Sequence, residues 1–564
     1  MLPPVLLILW LAGGRGEEVL GGGRREEVCP VPELGERMCR PPAPEGSCGL
    51  EGGLGWEQVD WRRYQALDLG VTDSQDPLAR FALDVVVSAG LAPNRSVPDL
   101  RDPACLALAP STPLPSVTVI ITYRNEPRST LLRTLVSVLE RSPEDALAEI
   151  ILVDDNNDDQ EVGLELAKVG KVRLVRNEER EGLIRSRVVA AKLAVGEVLV
   201  FLDSHCEVQP GWLPPLLASV TRDRTTIASP IIDNINFLTF ELEAVSAFLR
   251  GGFDWHLDFF WEWLPAGDRA RKARDPTSPV ATPAIAGGLF AVQREWFAEV
   301  GWYDEGMEVW GGENIEVSLR AWQCGGRVEI VPCSRVGHVY KQRTPYTYPG
   351  GSRTTVACNS WRAAAVWLDQ YQALHPRRPP GGSCGEVAGR RALRERLGCR
   401  DFSWFLTNVY PELQVPGEGD QAFGSVHLGG EPWTRCLDPA SHPGERSVGA
   451  APCLQTHHVQ QYRHTRAGHL QQDDFCLTAV EVQVGAMVEQ RLCREGEERQ
   501  RWERVVPGAK VRRRTGLGGS LYRLVGREVC LDTGDMLGRG LRVMRCTMGA
   551  KEQRLRMTYQ APGA

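Results

Sequence analysis

The first half of the chain alternates short apolar runs with segments of helical periodicity. Continuous apolar runs, typical of strands buried on both faces, occur at 117–122, 149–153, 172–175 and 198–202. After the first run, Pro127 fits a first helical turn, and leucines and valines follow at helical spacing. A second helix is predicted from Gly182 to Ala194. Strands separated by single helices predict βαβ units and a mostly parallel sheet.

Polar side chains stand where these predicted strands end: Thr122, Asp154, Asp155, Asp203 and His205. In parallel sheets, ligands bind beyond the carboxyl ends of the strands. If the chain stays extended past the fourth run, Asp203 and His205 point the same way and can face one ion. A carboxylate and an imidazole suit Mn²⁺. A surface cap is the commoner meaning of Asp-x-His, but the buried strand before it favours a metal site.

Composition sets the limits of the prediction. A chain of 564 residues is too long for one hydrophobic core, so two or three domains are expected. The net charge is −7, and no concentrated basic face is evident, which argues against a nucleic-acid partner. Sixteen cysteines point to an oxidising compartment if they are paired.

The N-terminal segment Met1–Ala12 is apolar but shorter than the roughly 20 residues that cross a bilayer. It is predicted to be a secretory signal without a basic start or a short membrane anchor, and both enter the secretory pathway. Residues 13–55 are rich in Gly, Glu, Arg and Pro, which predicts a flexible stem. Asn94-Arg95-Ser96 forms a glycosylation sequon, which is weak evidence by itself.

A threefold repeat follows a turn-rich linker at 413–424. Its cysteine pairs are Cys436 and Cys453, Cys476 and Cys493, and Cys530 and Cys546. Seven residues after each second cysteine comes a glutamine, namely Gln460, Gln500 and Gln553, and a hydrophobic residue follows two positions later. Each first cysteine begins Cys-Leu-Asp or Cys-Leu-Thr. This pattern predicts a β-trefoil at 425–564, resembles the ricin-type lectin module, and predicts one disulfide in each lobe.

Four long segments resemble the polypeptide N-acetylgalactosaminyltransferases, the Golgi enzymes that begin mucin-type O-glycosylation. They read LDSHCEV at 202–208, TPAIAGGLF at 282–290, WGGENIEVSLRAWQCGG at 310–326 and PCSRVGHVYKQRTPYTYPGG at 332–351. The resemblance extends from about residue 60 to the C-terminus. It implies a GT-A catalytic domain (α/β, Rossmann-like) at 56–412, UDP-GalNAc as the donor, Mn²⁺ as the cofactor, and Ser or Thr hydroxyls of peptides as acceptors.

The resemblance also implies the residues of the donor site. The family carries its metal on an Asp-x-His pair and a later His, which here are Asp203, His205 and His338. Contacts to the nucleotide are implied for Thr122, Asp155 and Arg180. Without the resemblance, His338 would pass for a structural histidine, and the Asp154-Asp155 segment for a polar turn.

The WGGEN segment is implied to hold the sugar. Its glycines allow a close approach of the backbone, Glu313 and Asn314 offer polar contacts, and Trp310 acts as a wall or lid. The same residues also suit a helix N-terminus before a helix at 315–322. Ala286-Gly287-Gly288 is a second site of close backbone approach.

A closing loop is implied at 341–352, where Lys341 and Tyr346 touch the diphosphate. The family has Arg where this chain has Lys341, and Lys keeps the charge but loses the bidentate fork. The predicted catalytic set is Asp203, His205, Glu313, Asn314, His338 and Tyr346. The aromatic residues implied to line the acceptor-peptide groove are Phe259, Trp261 and Tyr340.

In the lectin module, the family's sugar-binding acid is present as Asp438 in the first lobe and Asp532 in the third, while Thr478 replaces it in the second. Binding of GalNAc by the first or third lobe is predicted, and a purely structural trefoil is the alternative. In the catalytic domain, the resemblance implies two disulfides, Cys105–Cys333 and Cys324–Cys399. The sequence contains no CxxC pair, so a zinc site is not expected.

Three functions remain open on the sequence: an active peptide GalNAc-transferase, a weak or silent relative that binds glycopeptides, and a GT-A enzyme that uses another sugar nucleotide. Four departures from the family pattern bear on the second, at Arg124, Asn157, Lys341 and Thr344. The intact metal residues and the WGGEN segment favour the first.

The resemblance implies retention of configuration at the anomeric carbon. No dedicated nucleophilic carboxylate is evident in the sequence, so a front-face displacement is predicted, in which a departing phosphate oxygen takes the proton of the acceptor hydroxyl. The implied location is the Golgi lumen as a type II membrane protein, or secretion if the N-terminal segment is cleaved.

Overall fold

The structure, a computed structural model, describes residues 53–69, 77–108, 113–341, 343, 347–375, 384–429, 434–439, 447–453, 460–515, 517–534, 536 and 540–560. The described residues divide into two compact units. The first comprises 53–253, 257–369 and 384–409, and the second comprises 254–256, 370–375 and 410–560.

The first unit is an α/β structure, and its elements are listed here in chain order. They are α1 (Trp61–Ala66), α2 (Pro77–Phe81), α3 (Val85–Gly90), α4 (Pro103–Leu106), β1 (Val117–Tyr123), α5 (Arg128–Arg141), β2 (Leu147–Asp154), β3 (Val172–Arg176), α6 (Gly182–Leu193), β4 (Val198–Asp203), β5 (Cys206–Val208), α7 (Leu213–Arg222), β6 (Thr226–Ile235), β7 (Leu242–Glu243), β8 (Leu249–Phe253), β9 (Phe259–Trp263), α8 (Ala266–Arg274), β10 (Val280–Ala281), β11 (Phe290–Gln293), α9 (Arg294–Glu299), α10 (Glu313–Gln323), β12 (Arg327–Val339), α11 (Ser352–Trp367), α12 (Ala388–Arg396) and α13 (Phe402–Asn408). The four strands and two helices predicted from the apolar pattern are all present, with boundaries shifted by one or two residues.

Ten of these strands form one mixed sheet, in the order β10-β12-β6-β11-β4-β1-β2-β3, with β5 paired to β12 and β7 to β6. β1 runs parallel to both β2 and β4, and β6 runs parallel to β12. Every residue of β1 is buried, and the helically spaced leucines of α5 belong to the same core. The continuous apolar runs are therefore explained by burial on both faces of the sheet.

The sheet brings the predicted site residues to one edge. Thr122 is in register with Asp203, so the ends of β1 and β4 lie side by side. β12 pairs antiparallel with β5, and His338 stands opposite Cys206. The backbone N–H of Val339 also donates to the carbonyl of His205 at 3.1 Å. Residues more than a hundred positions apart thus meet where β4 turns into β5.

Three disulfides join parts of the first unit. Two are the implied pairs Cys105–Cys333 and Cys324–Cys399. The third, Cys358–Cys384, was not anticipated and ties α11 to the segment before α12. Among the described cysteines, Cys206 is unpaired and buried.

The second unit consists almost entirely of antiparallel strands. In chain order its elements are β13 (Ala422–Leu428), β14 (Arg435–Asp438), β15 (Gly449–Pro452), β16 (Gln461–His464), β17 (Leu470–Gln472), β18 (Phe475–Ala479), β19 (Val488–Leu492), β20 (Trp502–Val505), α14 (Ala509–Thr515), β21 (Leu521–Leu524), β22 (Val529–Asp532), β23 (Arg542–Arg545) and β24 (Leu555–Gln560). β13 begins inside the span that was predicted to be linker, 413–424.

The repeat seen in the sequence is also a repeat of contacts. Each lobe is closed by its own disulfide, Cys436–Cys453, Cys476–Cys493 and Cys530–Cys546. The leucine after each first cysteine and the hydrophobic residue after each glutamine are buried in one core, namely Leu437, Leu477, Leu531, Tyr462, Trp502 and Leu555. The β-trefoil prediction therefore agrees with the packing as well as with the spacing.

Among the described residues, none of the helices has both the length and the apolar character that a membrane crossing requires. The N-terminal segment predicted as a signal or anchor, residues 1–12, lies outside the described residues, as does most of the predicted stem.

Candidate functional site

Three side chains predicted as metal ligands lie together at the carboxyl edge of the sheet. Asp203, His205 and His338 each offer a ligand atom, and these atoms all lie within 4.8 Å of one another. His338 Nε2 is 3.2 Å from Asp203 Oδ2, and the two imidazole rings are 4.7 Å apart between centroids. One carboxylate and two imidazoles form a donor set that suits Mn²⁺.

The local reason for this clustering differs from the one inferred from the sequence. Asp203 ends β4, but Ser204 and His205 form a turn, so the chain is not extended between the two ligands. The turn and the pairing of β5 with β12 place His205 beside His338. The two residues are therefore brought together by a turn. The prediction that the chain stays extended between them was wrong.

Arg187 on α6 holds the carboxylate of Asp203 in place. Its guanidinium donates to Asp203 Oδ1 at 2.9 Å, to the Gly287 carbonyl at 2.8 Å and to the Gly288 carbonyl at 2.9 Å. Burial alone would raise the pKa of Asp203, but His338 and the charge of Arg187 hold that pKa well below its usual range. Asp203 is therefore ionised and available to a cation at neutral pH.

The glycine pair at 287–288 lets the chain pass close to this carboxylate. A Cβ at Gly288 would stand 2.3 Å from Asp203 Oδ2, and one at Gly287 would stand 2.6 Å from the Cβ of Asn314. Gly287 also has a φ of +103°, which side chains other than glycine rarely adopt. The close approach predicted for this segment is therefore a contact with the site's own acid.

Asp155, predicted to contact the nucleotide, fixes the start of α6. Its Oδ1 accepts from the backbone N–H of Glu181 at 2.7 Å and from the Asn177 amide at 3.0 Å. Its Oδ2 accepts from the backbone N–H of Gly182 at 2.9 Å. Because α6 has no side-chain cap of its own, this acid from the end of β2 serves as one.

Thr122, the other strand-end residue predicted to bind the nucleotide, is buried beside Asp203. Its hydroxyl has no hydrogen-bond partner among the described residues. A buried hydroxyl is normally paired, so this one is an available donor at the same edge as the three candidate ligands.

Two departures from the family pattern brace the loop after β2. Arg124 donates to the backbone carbonyl of Asp155 at 2.9 Å and also to that of Asn156. The side-chain amide of Asn157 donates to Asp154 Oδ1 at 2.9 Å. These residues stabilise the segment that carries Asp155, so their effect on the site is one of support.

The closing loop is described only in part. Thr344 and Tyr346 lie outside the described residues, so the predicted contact of Tyr346 with the diphosphate has no structural counterpart here. Arg180 donates to the hydroxyl of Thr347 at 3.1 Å and to its carbonyl. Lys341 donates to both carboxylate oxygens of Glu126, at 2.7 and 2.9 Å.

The WGGEN segment lies at the N-terminus of α10, in agreement with the prediction that it begins a helix. Gly311 and Gly312 both have positive φ, and the Gly311 N–H donates to Glu313 Oε2 at 2.6 Å. Glu313 is buried, and burial raises the pKa of its carboxyl. The Asn314 amide donates to the Ile285 carbonyl at 3.0 Å. Both predicted sugar contacts thus lie at the N-terminus of one buried helix.

One of the three predicted acceptor aromatics, Tyr340, lies beside a candidate metal ligand. Tyr340 contacts His338 with ring centroids 4.6 Å apart. Phe259 and Trp261 pack edge to face, with centroids 5.1 Å apart on β9. Trp261 and Tyr340 are both partly buried against the main core of the unit, so both contribute to its packing.

In the second unit, the two predicted sugar-binding acids share one local contact. Gln460 Nε2 donates to Asp438 Oδ2 at 2.8 Å, and Gln553 Nε2 donates to Asp532 Oδ2 at 3.0 Å. In the second lobe, Gln500 Nε2 donates to Thr478 Oγ1 at 3.0 Å. The repeated glutamine therefore orients the residue after Cys-Leu in all three lobes.

Two residues of the site were missed by sequence reasoning. Glu126 follows the predicted strand at 117–122 closely, so the strand-end rule that selected Thr122 could have found it. Arg187 stands in the middle of α6. One of its acceptors is on the next strand, and the other two are about a hundred positions away, so no local signal marks it.

The chain is similar to known proteins in both sequence and structure. Residues 118–297 match the family "Glycosyl transferase family 2", residues 269–344 match "N-terminal domain of galactosyltransferase", and residues 424–517 match "Ricin-type beta-trefoil lectin domain". Polypeptide N-acetylgalactosaminyltransferase 14 of Homo sapiens is 41% identical over 495 residues, which cover 86% of each chain. Polypeptide N-acetylgalactosaminyltransferase 16 of Homo sapiens is 41% identical over 504 residues, which cover 87% of each chain.

Among solved structures, the crystal structure of GalNAc-T7 with UDP, GalNAc and Mn²⁺ is similar, with a TM-score of 0.59 and 31% identity. The match covers 93% of this chain and 95% of that chain. The predicted fold, an α/β catalytic domain followed by a trefoil lectin domain, is confirmed by these matches.

Proposed function

The chain belongs to the polypeptide N-acetylgalactosaminyltransferase family, and from that premise we propose that the cluster at the carboxyl edge of its sheet is the donor site at which GalNAc leaves UDP. The family's activity, which starts mucin-type O-glycosylation, is therefore the activity of this chain. The observation that carries the proposal is the convergence of Asp203, His205 and His338, which come from two distant parts of the sequence.

Mn²⁺ is the family's metal, and the three residues fit it by their donor types. When bound, a divalent cation neutralises charge on the oxygens of a diphosphate leaving group. Asp203 is suited to hold it because Arg187 fixes the orientation of the carboxylate and favours its ionised form. His205 and His338 supply the two nitrogen ligands of the proposed site.

The remaining predicted residues are assigned by position. Thr122 offers its unpaired hydroxyl to the nucleotide, and Asp155 offers the Oδ2 atom that accepts a single N–H in the described structure. Glu313 and Asn314 present polar atoms at the start of α10 to the sugar. Phe259, Trp261 and Tyr340 border the path of the acceptor peptide, and Trp310, Lys341 and Arg180 complete the proposed donor contacts.

Retention of configuration by front-face displacement is supported by the state of the site's carboxylates. Asp203 is held by Arg187 for the metal, and Asp155 accepts backbone N–H groups at the start of α6. Glu313 is buried with a raised pKa and accepts the Gly311 N–H. Each acid is committed elsewhere, so we assign the proton of the acceptor hydroxyl to a departing phosphate oxygen. The hydroxyl oxygen then bonds to the anomeric carbon as the bond from that carbon to the phosphate oxygen breaks.

The deciding experiment combines the full chain, radiolabelled UDP-GalNAc, a Thr-rich peptide and Mn²⁺. We expect transfer of label to the peptide as the α-anomer, detected by NMR of the product, and loss of transfer on addition of EDTA. Binding of UDP-GalNAc without turnover would instead support the silent, glycopeptide-binding relative. Capture of a covalent sugar on an Asp or Glu would overturn the front-face mechanism.

We assign recognition of GalNAc already attached to a peptide to the first and third lobes of the lectin module, through Asp438 and Asp532. Replacing either acid by Ala is expected to weaken binding of a GalNAc-glycopeptide to that lobe at least about tenfold, because a buried or half-buried acceptor for sugar hydroxyls is lost. Isothermal titration of the full chain measures this.

Thr478→Ala is the matched control for these lectin variants, since it removes the same contact to a repeat glutamine in a lobe without the acid. Glycopeptide binding should be unchanged in this variant. Equal losses in all three lobes would show that the acids act only by anchoring the glutamines, and the trefoil would then be structural.

We also propose that the chain acts in the Golgi lumen, as its family membership implies. The six disulfides among the described residues agree with an oxidising compartment. Attachment as a type II membrane protein, or secretion after cleavage, depends on the N-terminal segment outside the described residues.

A further inference from the structure

A buried carboxylate, Glu126, lies behind the proposed metal site and touches three parts of it. Its Oε2 is 3.1 Å from His205 Nδ1 and accepts from the Ser204 hydroxyl at 2.9 Å. The Lys341 ammonium donates to both of its oxygens, at 2.7 and 2.9 Å. Glu126 is only 6% exposed, and none of the roles proposed above involves it.

We propose that Glu126 is a positioning residue for His205, and that Lys341 is the counter-charge that keeps Glu126 able to do this. The inference rests on the metal site of the proposed function and adds a residue behind it. Glu126 touches neither substrate nor reacting atoms, so its effect on the reaction passes through the histidine.

The contact with Glu126 fixes the tautomer of His205. A carboxylate only accepts hydrogen bonds, so Nδ1 is the nitrogen that carries the proton in this pair. In a neutral imidazole, the lone pair then stands on Nε2, which is left to bind a cation. Metal-binding histidines commonly donate their second nitrogen to a carboxylate in this way, which fixes the ring and raises its basicity.

Lys341 supplies the positive charge that faces Glu126. Its ammonium donates to both carboxylate oxygens, and the side chain of Glu126 is 5% exposed. A buried carboxylate needs a paired cation, because an isolated charge away from water carries a large cost in free energy. Lys341 therefore compensates the charge that Glu126 presents to His205 Nδ1.

Position 341 holds Lys where the family has Arg. The side chain of Lys341 is 9% exposed, and both oxygens of Glu126 are within hydrogen-bonding distance of its ammonium. A lysine concentrates its charge at one point, which can sit between two oxygens of one carboxylate. In the described structure this residue of the closing loop is therefore tied to the support of the metal site.

The test is Mn²⁺ binding to the full chain without substrates, followed by electron paramagnetic resonance of the free ion. Glu126→Gln keeps the shape of the side chain but makes it neutral. We expect it to weaken Mn²⁺ binding about 10- to 100-fold, the usual range for loss of an outer partner of a metal ligand. In the transfer assay, saturating Mn²⁺ should restore most of kcat, which a general loss of folding would not allow.

Two further variants keep the result interpretable. Glu126→Gln leaves the buried Lys341 unpaired and can destabilise the fold, so Glu126→Gln with Lys341→Met removes both charges together. This double variant should fold, judged by near-UV circular dichroism, and should still bind Mn²⁺ more weakly than the parent. Glu144→Gln, at an exposed position in the loop before β2, is the matched control and should bind Mn²⁺ as the parent does.

The outcomes distinguish failure of the proposed metal site from failure of the role proposed for Glu126. If the parent chain fails to bind Mn²⁺, the metal site of the proposed function fails. If the parent binds and the folded Glu126 variants bind equally well, the metal site stands and the positioning role of Glu126 is wrong.

A second inference rests on the turn that carries Asn94. Asn94 is exposed, and so is Ser96 two residues later, in a segment where Arg95 N–H donates to the Ala92 carbonyl at 3.2 Å. The side chain of Arg95 points the other way, into an ion pair with Glu207 at 2.7 Å. The turn is therefore anchored by its middle residue and presents Asn94 to solvent.

We infer that Asn94 carries an N-linked oligosaccharide. The six disulfides among the described residues agree with folding in an oxidising compartment, where this modification occurs. The donor is an oligosaccharide linked to a lipid diphosphate. A bond forms between Asn94 Nδ2 and the anomeric carbon, the bond from that carbon to the phosphate oxygen breaks, and the amide loses one proton.

The position is compatible with activity. Asn94 Nδ2 lies 3.4 Å from Glu140 Oε1, near the C-terminus of α5. The proposed metal site adjoins the other end of this helix, which is about 20 Å long. The attachment point of a carbohydrate at Asn94 is thus separated from the donor site by about the length of this helix.

The full chain, expressed in animal cells, tests this. Peptide N-glycosidase F should shift its mobility on a gel, and Asn94→Gln or Ser96→Ala should remove the shift. Ser96→Thr keeps the sequon and should keep the shift, and GalNAc transfer by Asn94→Gln should equal that of the parent. A parent chain without the shift would overturn the inference.

Discussion

Replacing Asp203 by Asn is expected to lower kcat/KM for GalNAc transfer by about 1,000-fold or more. The change is nearly isosteric, but it removes the negative charge that the candidate metal site centres on. A divalent cation contributes several kcal/mol to the stabilisation of a charged leaving group, and about 4 kcal/mol corresponds to a factor of about 1,000. The measurement is the radiolabel assay at saturating peptide, with Mn²⁺ varied.

The control for this variant is Asp145→Asn, at an exposed position before β2. It makes the same chemical change away from the site and should leave kcat/KM within a factor of two. Mn²⁺ binding, measured separately, should be lost in Asp203→Asn and kept in Asp145→Asn. Transfer that survives in a folded Asp203→Asn protein would refute the metal assignment and with it the proposed donor site.

The architecture of the first unit was accessible from the sequence because burial on both faces of a parallel sheet leaves a direct trace. The run at 117–122 became β1, with every residue buried, and the run at 198–202 became β4. The helical spacing of leucines predicted α5 because one stripe of that helix packs on the same core. The trefoil was equally accessible, since its cysteines and glutamines recur at a fixed period.

The way in which the site residues meet was not accessible in the same way. The clustering of His338 with Asp203 depends on the antiparallel pairing of β5 with β12, which no local pattern encodes. The resemblance to a family supplied His338, and the structure supplied the reason. The extended-chain argument failed at Ser204 and His205 because a two-residue turn separates β4 from β5.

Disulfide pairing shows the same limit. The lobes of the trefoil pair locally, 16 or 17 residues apart, so the repeat predicts their bonds. Cys358–Cys384 belongs to no repeat and joins α11 to a segment whose position depends on the tertiary fold. Spacing alone allows many pairings, and only contact between elements selects one.

Replacing Arg187 by Met is expected to destabilise the first unit by about 3–5 kcal/mol. The guanidinium is fully buried. Its loss leaves the carbonyls of Gly287 and Gly288 without this donor, and the Asp203 carboxylate keeps only its contact with His338. Removing one partner of a buried ion pair costs up to about this much, and the Asp203 carboxylate, whose side chain is 21% exposed, loses its permanent positive partner. Urea unfolding of the full chain, followed by tryptophan fluorescence, measures it.

Mn²⁺ distinguishes the charge of Arg187 from its packing. A divalent cation beside Asp203 restores a positive partner for the carboxylate, so saturating Mn²⁺ should recover part of the lost stability of Arg187→Met. The two carbonyls stay unpaired, and the recovery should therefore be incomplete. Arg187→Lys keeps the positive charge but has no planar fork to reach three acceptors. Its free energy of unfolding should therefore lie between those of the parent and Arg187→Met. If Mn²⁺ stabilises the parent and Arg187→Met equally, Arg187 does not act through Asp203, and its role is confined to holding the backbone at 287–288.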